Sequence, residues 1–252
     1  MITIKSAQDI AKMKAAGKVV EETLLLLERS VRIGITTEEL NRIAEQYIRS
    51  KGGYPTCLHY NGFPKAICIS VNEVVVHGIS GPRKLRDGDI VSCDVCVTLD
   101  GFVGDASRTF LVGNVAPETQ DLVRVTKECF FEGLKYARPG YRVSDISKAI
   151  QAHAESHGYG VVRELTGHGV GRQLHEDPEV PNFYSPHARQ RLEPGMTIAI
   201  EPMITQGARH VWQLDDGWTV CTRDGKPAAH YENTVAITDG DPILLTCSEE
   251  YR

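Results

Sequence analysis

Two aspartates, Asp94 and Asp105, lie on either side of the dipeptide Asp100-Gly101, with a β-branched run before it and another after it. Asp-Gly between two such runs is the strongest short signal for a β-hairpin. With this dipeptide as the turn, Asp105 faces Cys96, and both carboxylates lie on one face because side chains alternate with a period of two. Such diagonal neighbours are roughly 7 Å apart or less at the backbone, which lets them share two cations about 3.5–4 Å apart. Taken alone, the pattern also fits a solvated hairpin with two surface acids.

Further candidate ligands lie in the second half of the chain. Glu201 and Glu232 each lie in a mostly apolar run, where an unpaired carboxylate is costly. Each therefore needs a cation, which is either a metal ion or an arginine. His168 lies in the glycine-rich segment 166–171, which has neither the G-x-G-x-x-G nor the P-loop spacing of a phosphate site. The dipeptide His175-Glu176 has no second histidine three residues after the glutamate, so the H-E-x-x-H motif of a single-zinc helix site is absent too.

Together these candidates are four carboxylates and one imidazole: Asp94, Asp105, Glu201, Glu232 and His168. Four negative charges in one pocket repel one another, and two divalent cations neutralise them on a formal count. Oxygen-rich ligation favours Mn, Fe or Co over a structural zinc, which seeks thiolates. Two such ions polarise a carbonyl group and hold a hydroxide between them, which is the chemistry of a hydrolase.

Apolar spacing predicts the elements that must position these residues. Four helices are expected: from Ser6 to about Glu28, from Thr36 or Thr37 to Gly52, from Pro117 to before Pro139, and from Ser144 to Gly158. Strands are expected at 66–71, 74–77, 89–99, 102–112, 196–204, 218–222 and 231–238.

A weak internal repeat relates the two halves. Laying 34–40 over 140–146, a shift of 106 residues, also brings Gly52 onto Gly158. This predicts a single domain, 1–252, with pseudo-twofold halves at about 1–113 and 114–252 and the site between them. Two ordinary helix starts remain the alternative.

Composition narrows the class of protein. A net charge of −5 and a pI near 6.0 argue against a nucleic-acid surface. No apolar run approaches the roughly 18 residues of a membrane span, and no charged-then-apolar leader precedes the first helix, so we expect a cytoplasmic protein. The seven scattered cysteines do not form a disulfide framework. Cys93 and Cys96 point to opposite faces of one strand, so we interpret them as small buried hydrophobes.

Several motifs, taken in order from about Ile4 to Thr238, resemble those of methionine aminopeptidase of the short bacterial type. Each motif is modest, but their ordered set is highly specific. They are Asn72-x-x-x-x-His77-Gly78, the spacing of eleven from Asp94 to Asp105, Thr166-Gly167-His168-Gly169-Val170-Gly171-x-x-x-His175-Glu176-x-Pro178, Glu201-Pro202 and Glu232.

The resemblance implies an α+β pita-bread fold, with two pseudo-twofold-related helix-helix-strand halves around a central antiparallel sheet. It implies removal of the initiator methionine from nascent proteins by metal-activated hydroxide attack on the first peptide bond. Two divalent ions per chain are expected, with Mn, Fe, Co and Zn all open. The implied ligands are Asp94, Asp105, His168, Glu201 and Glu232, of which Asp105 and Glu232 bridge the ions.

The resemblance also assigns the catalytic and substrate-binding residues. His77 and His175 contact the substrate and stabilise the tetrahedral intermediate. As a separate hypothesis, we expect Glu201, although a ligand, to take a proton from water and pass it to the leaving amine. An apolar, narrow pocket suits an unbranched thioether. Its implied lining is Cys57, Tyr60, Phe63, Cys68 and Trp218; core packing is the alternative for Cys57, Phe63 and Cys68, and ordinary hydrogen bonding for the two histidines.

The chain departs from the family pattern at three positions. His230 stands where many relatives have Gln, Asn233 stands where they have His, and Leu174 replaces a frequent Phe. These departures bear on pocket details, metal preference and the residues tolerated after methionine, and they leave the ligand set intact.

Two rival functions are weighed against this interpretation. A proline-directed aminopeptidase or dipeptidase of similar fold usually carries a large extra N-terminal domain, whereas this chain enters its first helix by about residue 6. A catalytically silent module that binds only peptides or ribosomes is expected to have lost ligands, and all five are present. We therefore expect a monomeric enzyme whose partners are nascent polypeptide N-termini, with the ribosome left open as a further partner and no membrane contact.

Overall fold

The computed structural model describes residues 2–247 of the chain. Within them lie the four predicted helices, α1 (Ala7–Ser30), α2 (Thr37–Ser50), α3 (Pro117–Leu134) and α4 (Val143–Ser156). α1 begins at Ser6 with the predicted capping box, in which Ser6 and Asp9 satisfy each other's backbone N–H groups. No helix in this part of the chain is long and apolar enough to cross a membrane.

The strands of the described residues pair antiparallel throughout. In chain order they are β1 (Tyr54–Pro55), β2 (Cys68–Val71), β3 (Val74–Val76), β4 (Ile90–Leu99), β5 (Phe102–Leu111), β6 (Gly160–Val161), β7 (Gly167–Gly169), β8 (Glu176–Val180), β9 (Thr197–Ile200), β10 (Met203–Thr205), β11 (Val211–Gln213), β12 (Val220–Thr222), β13 (Ala228–His230), β14 (Glu232–Ala236) and β15 (Ile243–Leu244).

A central sheet of nine strands runs in the order β1-β4-β5-β14-β9-β7-β8, with β2 also paired to β4 and β15 to β14. The β5–β14 pairing joins a strand of the first half of the chain to one of the second half. Two small sheets, β13-β10-β6 and β11-β12-β3, complete the strand arrangement. The elements on both sides of the β5–β14 seam therefore converge on one region of the central sheet.

The hairpin of β4 and β5 has the predicted register. Asp94 pairs with Ser107 and Cys96 pairs with Asp105, so the turn at Asp100-Gly101 places both carboxylates on one face. Both turn residues have positive φ angles, 49° for Asp100 and 76° for Gly101, as a tight two-residue turn of this hand requires.

Two apolar clusters support the central sheet from the helices. One packs α1 and α2 against β2, β4 and β5, and its residues all lie between Val19 and Val112. The other packs α3 and α4 against β9 and β14, and its residues lie between Val115 and Leu244 apart from Ile90. Each fully buried Leu, Ile or Phe in them contributes roughly 1.5–3 kcal/mol to stability.

The helices agree with the predicted internal repeat. Both bounds of α4 lie 106 residues beyond those of α2, and the aligned glycines Gly34 and Gly140, like Gly52 and Gly158, share positive φ angles. The single duplicated domain of residues 1–252 stays a prediction, and its ends, residue 1 and residues 248–252, lie outside the described residues.

The predicted strand at 196–204 differs from the structure. It is two short strands, β9 and β10, separated by Glu201 and Pro202. Proline has no backbone N–H to give to a ladder, so the pairing is interrupted there. The other predicted strands are present with shifted ends.

Candidate metal centre and substrate pocket

The structure brings every predicted site residue to one cavity of about 230 Å³. The predicted ligands, the catalytic histidines and the predicted substrate pocket all line it, although they are spread from residue 57 to residue 232 of the sequence. The residues are Cys57, Tyr60, Phe63, Cys68, His77, Asp94, Asp105, His168, His175, Glu201, Trp218 and Glu232. Their individual roles stay predictions.

Asp94 and Asp105 enter the cavity from β4 and β5. Asp105 is 3% exposed, and its backbone N–H and C=O both bond the Thr234 hydroxyl, at 3.1 and 2.9 Å, which ties β5 to β14. The Cys96 thiol donates to Asp105 Oδ1 across 3.0 Å. The hairpin and its neighbour thus fix the direction of both carboxylates.

Glu201 reaches the cavity because β9 ends just before it. Its backbone carbonyl accepts a hydrogen bond of 2.9 Å from the amide of Asn182, which is fully buried. Pro202 then turns the chain away from the ladder. Glu201 is 9% exposed as a residue, and its carboxylate lies 3.4 Å from His168 Nε2.

Glu232 begins β14 and pairs with Ser107 of β5. Arg108 donates to the backbone carbonyl of Glu232 at 2.6 Å and to Asn233 Oδ1 at 2.7 Å. Its charge lowers the pKa of Glu232, but burial and the neighbouring acids outweigh it, so that pKa is raised well above the ordinary value. The arginine alternative therefore does not neutralise this carboxylate.

His168 lies in the middle of β7 with its ring direction fixed by the backbone. Nδ1–H donates to the carbonyl of Gly169 at 2.9 Å, which leaves Nε2 as the lone-pair nitrogen. Nε2 lies 3.4 Å from Glu201 Oε1 and 3.7 Å from Asp105 Oδ2. One imidazole nitrogen thus faces two carboxylates, one from β5 and one from the residue that follows β9.

The glycines around His168 serve strand pairing. A Cβ at Gly167 would lie 2.4 Å from the carbonyl oxygen of Ala199, and one at Gly169 would lie 2.2 Å from that of Asp177. Both contacts are far inside van der Waals distance, so only glycine lets β7 sit between β8 and β9. The glycine-rich segment is therefore explained without a phosphate ligand.

Burial controls the pKa values of the predicted ligands. Desolvation raises the pKa of Asp94, Glu201 and Glu232 well above the ordinary range, and the charge of Asp105 adds to it. Desolvation also raises the pKa of Asp105 to about 7 and lowers the pKa of His168 to about 3. Ionised acids around a neutral imidazole are stable here only when added positive charge answers them.

The donor set fits divalent cations. Glu232 Oε1 is buried without a hydrogen-bond partner in the described chain, and neither Lys nor Arg is among the described residues that line the cavity. Ligand atoms of Asp105, His168 and Glu232 all lie within 4.8 Å of one another, as do those of Asp94, His230 and Glu232. Carboxylate oxygens with imidazole nitrogen suit Mn, Fe, Co or Zn.

The predicted methionine pocket is the apolar side of the same cavity. Phe63 and Trp218 meet edge to face with ring centroids 5.2 Å apart, and the Sγ atoms of Cys57 and Cys96 are 3.3 Å apart. Phe63 and both cysteines are buried. This wall is therefore lined by aromatic rings and thiols, which suit a thioether side chain.

The two catalytic candidates, His77 and His175, each contact a residue of the predicted methionine pocket, Trp218 and Tyr60 respectively. Nδ1 of His175 and the hydroxyl of Tyr60 form a hydrogen bond of 2.7 Å. The ring centroid of His175 lies 4.2 Å from that of His168. His77 lies after β3 with a positive φ of 58°, a conformation that costs energy in a non-glycine residue. Desolvation lowers the pKa of both His77 and His175, so neutral imidazoles face the cavity.

Four lining residues matter here that the sequence did not assign to the site: Cys96, Leu174, Met203 and His230. Cys96 was interpreted as a small buried hydrophobe; it is buried, but its thiol also contacts Asp105 and Cys57. The hairpin register, which places Cys96 opposite Asp105, is the sequence feature that indicates this contact. Of the three departures, Leu174 and His230 line the cavity, whereas Asn233 bonds Arg108.

Comparison with known proteins shows the family of the chain. The model of metallopeptidase family M24 matches residues 11–239. A methionine aminopeptidase of Clostridium perfringens is 52% identical over 246 residues, which cover 98% of this chain and 99% of that protein. The methionine aminopeptidase of Escherichia coli K12 is 43% identical over 251 residues, with coverage of 99% and 95%.

Solved structures agree as well. A crystal structure of methionine aminopeptidase from Rickettsia prowazekii superposes with a TM-score of 0.96 at 42% identity, covering 98% of this chain and all of that one. A prolidase from Pyrococcus furiosus, at 20% identity and a TM-score of 0.79, shares the fold. The chain therefore belongs to metallopeptidase family M24 and, within it, to the methionine aminopeptidases. The α+β pita-bread fold is confirmed.

Proposed function

We propose that this chain removes the N-terminal methionine from nascent polypeptides, using divalent metal ions held by the buried acids. The observation that carries the proposal is the meeting of four carboxylates and one imidazole in a cavity of about 230 Å³ that also has an apolar wall. Full-length similarity to methionine aminopeptidases supports the substrate. Family membership supports the use of metal.

The ligand set in this proposal is Asp94, Asp105, His168, Glu201 and Glu232. Two ions would balance the four carboxylates, and their identity is set among Mn, Fe, Co and Zn by availability. When bound, such ions polarise a carbonyl group and lower the pKa of water. Asp105 and Glu232 are the bridging candidates that the resemblance implies, and ligand atoms of these two carboxylates lie within 4.8 Å of each other.

The remaining steps fall to side chains of the cavity. Glu201 takes the proton of the attacking water and passes it to the leaving amine. His77 and His175, both neutral, donate hydrogen bonds to the oxyanion that forms at the scissile carbonyl. The wall of Phe63 and Trp218 excludes water around the methionine side chain.

The proposal extends to the setting of the enzyme. We infer a monomer in the cytoplasm that acts on N-termini as nascent chains leave the ribosome. Similarity to methionine aminopeptidases supports action on polypeptide N-termini, and the apolar wall of the cavity supports recognition of an apolar terminal side chain.

Hydrolysis of two short peptides by the metal-loaded chain tests the function. Methionine should be released from Met-Ala-Ser, while Ala-Pro peptides, the substrates of a proline-directed enzyme, should stay intact. Glu201→Gln should lower kcat about 10²–10⁴-fold because the proton acceptor is gone.

Glu179→Gln is the matched control, because Glu179 is an exposed acid of β8 outside the cavity. It should keep wild-type kcat. A folded, metal-replete Glu201→Gln enzyme with full activity contradicts the role of Glu201, and preferential cleavage of Ala-Pro contradicts the substrate.

A further inference from the structure

His230 is a buried histidine of β13 that the predicted ligand set does not use. Its side chain lies at the acid end of the cavity, and the residue is 2% exposed. Its backbone is held on both sides by the Thr109 hydroxyl, which donates to the His230 carbonyl at 2.9 Å and accepts from its N–H at 3.0 Å. The backbone that carries the ring is therefore tied to β5.

The Nε2 atom of His230 has no hydrogen-bond partner in the described residues. It lies 3.7 Å from Glu232 Oε2 and 3.8 Å from Glu201 Oε2. These distances are too long for hydrogen bonds. A buried polar nitrogen without a hydrogen-bond partner lowers the stability of the fold by about 1–3 kcal/mol. A bound partner at Nε2 would remove this cost.

The same distances suit two ligands of one ion. Donor atoms each about 2.1 Å from a metal lie roughly 3.0–4.2 Å from each other, depending on the angle between them. Nε2 of His168, the imidazole already assigned to the centre, lies 3.4 and 3.7 Å from its carboxylate neighbours. His230 repeats this arrangement with the other oxygens of the same ring of acids.

Two of the groups of possible ligand atoms in the cavity contain an imidazole, and both include Glu232. One group is Asp105, His168 and Glu232, and the other is Asp94, His230 and Glu232. Each contains one imidazole and two carboxylates. We propose that Nε2 of His230 is a further metal ligand, which binds the second ion beside Asp94 and Glu232 as His168 binds the first.

This inference rests on the proposed metal centre, and it adds a consequence for metal choice. A neutral imidazole leaves the charge balance of four carboxylates and two dications unchanged. An imidazole ligand favours Fe, Co and Zn over Mn at the site of the second ion, because imidazole nitrogen suits Fe, Co and Zn better than an oxygen donor does. A glutamine at 230 removes that preference.

Proton NMR of the chain loaded with two equivalents of Co(II) tests the assignment. A histidine bound through Nε2 keeps a proton on Nδ1, and the paramagnetic ion shifts that N–H signal far outside the normal spectrum. We expect two such signals in the wild type and one in His230→Gln. His230→Gln should also bind the second Co(II) at least about tenfold more weakly in calorimetry.

His157→Gln is the matched control. His157, directly after α4, belongs to another group of possible ligands, with Glu128 of α3 and His153 of α4, outside the cavity. This variant should keep both shifted signals. One signal in the wild type, or two in His230→Gln, overturns the role of His230 while the metal centre stands. Failure of the wild type to bind any Co(II) tightly instead contradicts the proposed function.

Discussion

The hydrogen bond between Tyr60 and His175 gives a quantitative test of the catalytic geometry. It joins side chains 115 residues apart across 2.7 Å. With the Tyr60 hydroxyl as donor, Nδ1 of His175 is the acceptor and the ring proton stays on Nε2, free to donate to the oxyanion. Tyr60→Phe removes the hydroxyl and keeps the ring.

The size of the effect follows from the energy of one neutral hydrogen bond. Such a bond contributes about 0.5–1.5 kcal/mol, and each 1.36 kcal/mol is tenfold in rate. Tyr60→Phe should therefore lower kcat/KM for Met-Ala-Ser about 2- to 13-fold. Most of the loss should fall on kcat, because His175 acts in the transition state.

A double-mutant cycle separates this effect from general damage to the pocket. In a His175→Ala background, Tyr60→Phe should cost nothing further, since the bond is already lost. Tyr54→Phe is the matched control, because the Tyr54 hydroxyl bonds the Leu58 carbonyl at 3.0 Å and lies outside the cavity. Additive losses in the cycle, or full activity of Tyr60→Phe, refute the reasoning.

Two other perturbations follow from the same site. In the metal-free chain, burial raises the pKa of Asp105 from 3.8 to about 7, so the unfolded chain releases this proton at lower pH than the folded chain does. As the pH rises from 5 to 8, the free energy of unfolding of the wild type should fall by about 3 kcal/mol relative to that of Asp105→Asn. Urea denaturation measures both free energies, and a difference between them that does not change with pH contradicts this prediction. Trp218→Ala removes the edge-to-face contact with Phe63 and should raise KM for Met-Ala-Ser about tenfold. The exposed Trp212 provides the control variant Trp212→Ala, and an equal change in both variants counts against the pocket.

The hairpin shows what local sequence determines. Asp100-Gly101 sets the turn, the turn sets the register, and the period of two then places Asp94, Asp105 and Cys96 on one face. The capping box at Ser6 and the start of α3 at Pro117 are local in the same way. These features were predictable because each depends on residues close together in the chain.

Long-range pairing could not be predicted in the same way. The Tyr60–His175 bond and the approach of His230 to Glu201 depend on how separate strands and loops meet in the folded chain. His230 was noticed as a departure, but its distance from the acids depends on the strands of a second sheet. The sequence alone does not show why glycines surround His168, because the reason is the carbonyl oxygens of neighbouring strands that lie against them in the fold.

The central claim is that the buried ring of acids exists because divalent ions balance its charge. Anomalous diffraction from crystals grown with excess Mn(II) tests it most directly. Two anomalous peaks are predicted, each within ligand distance of Asp105 and Glu232. An acid ring that opens to bulk solvent, with no anomalous peak between its carboxylates, would contradict the account.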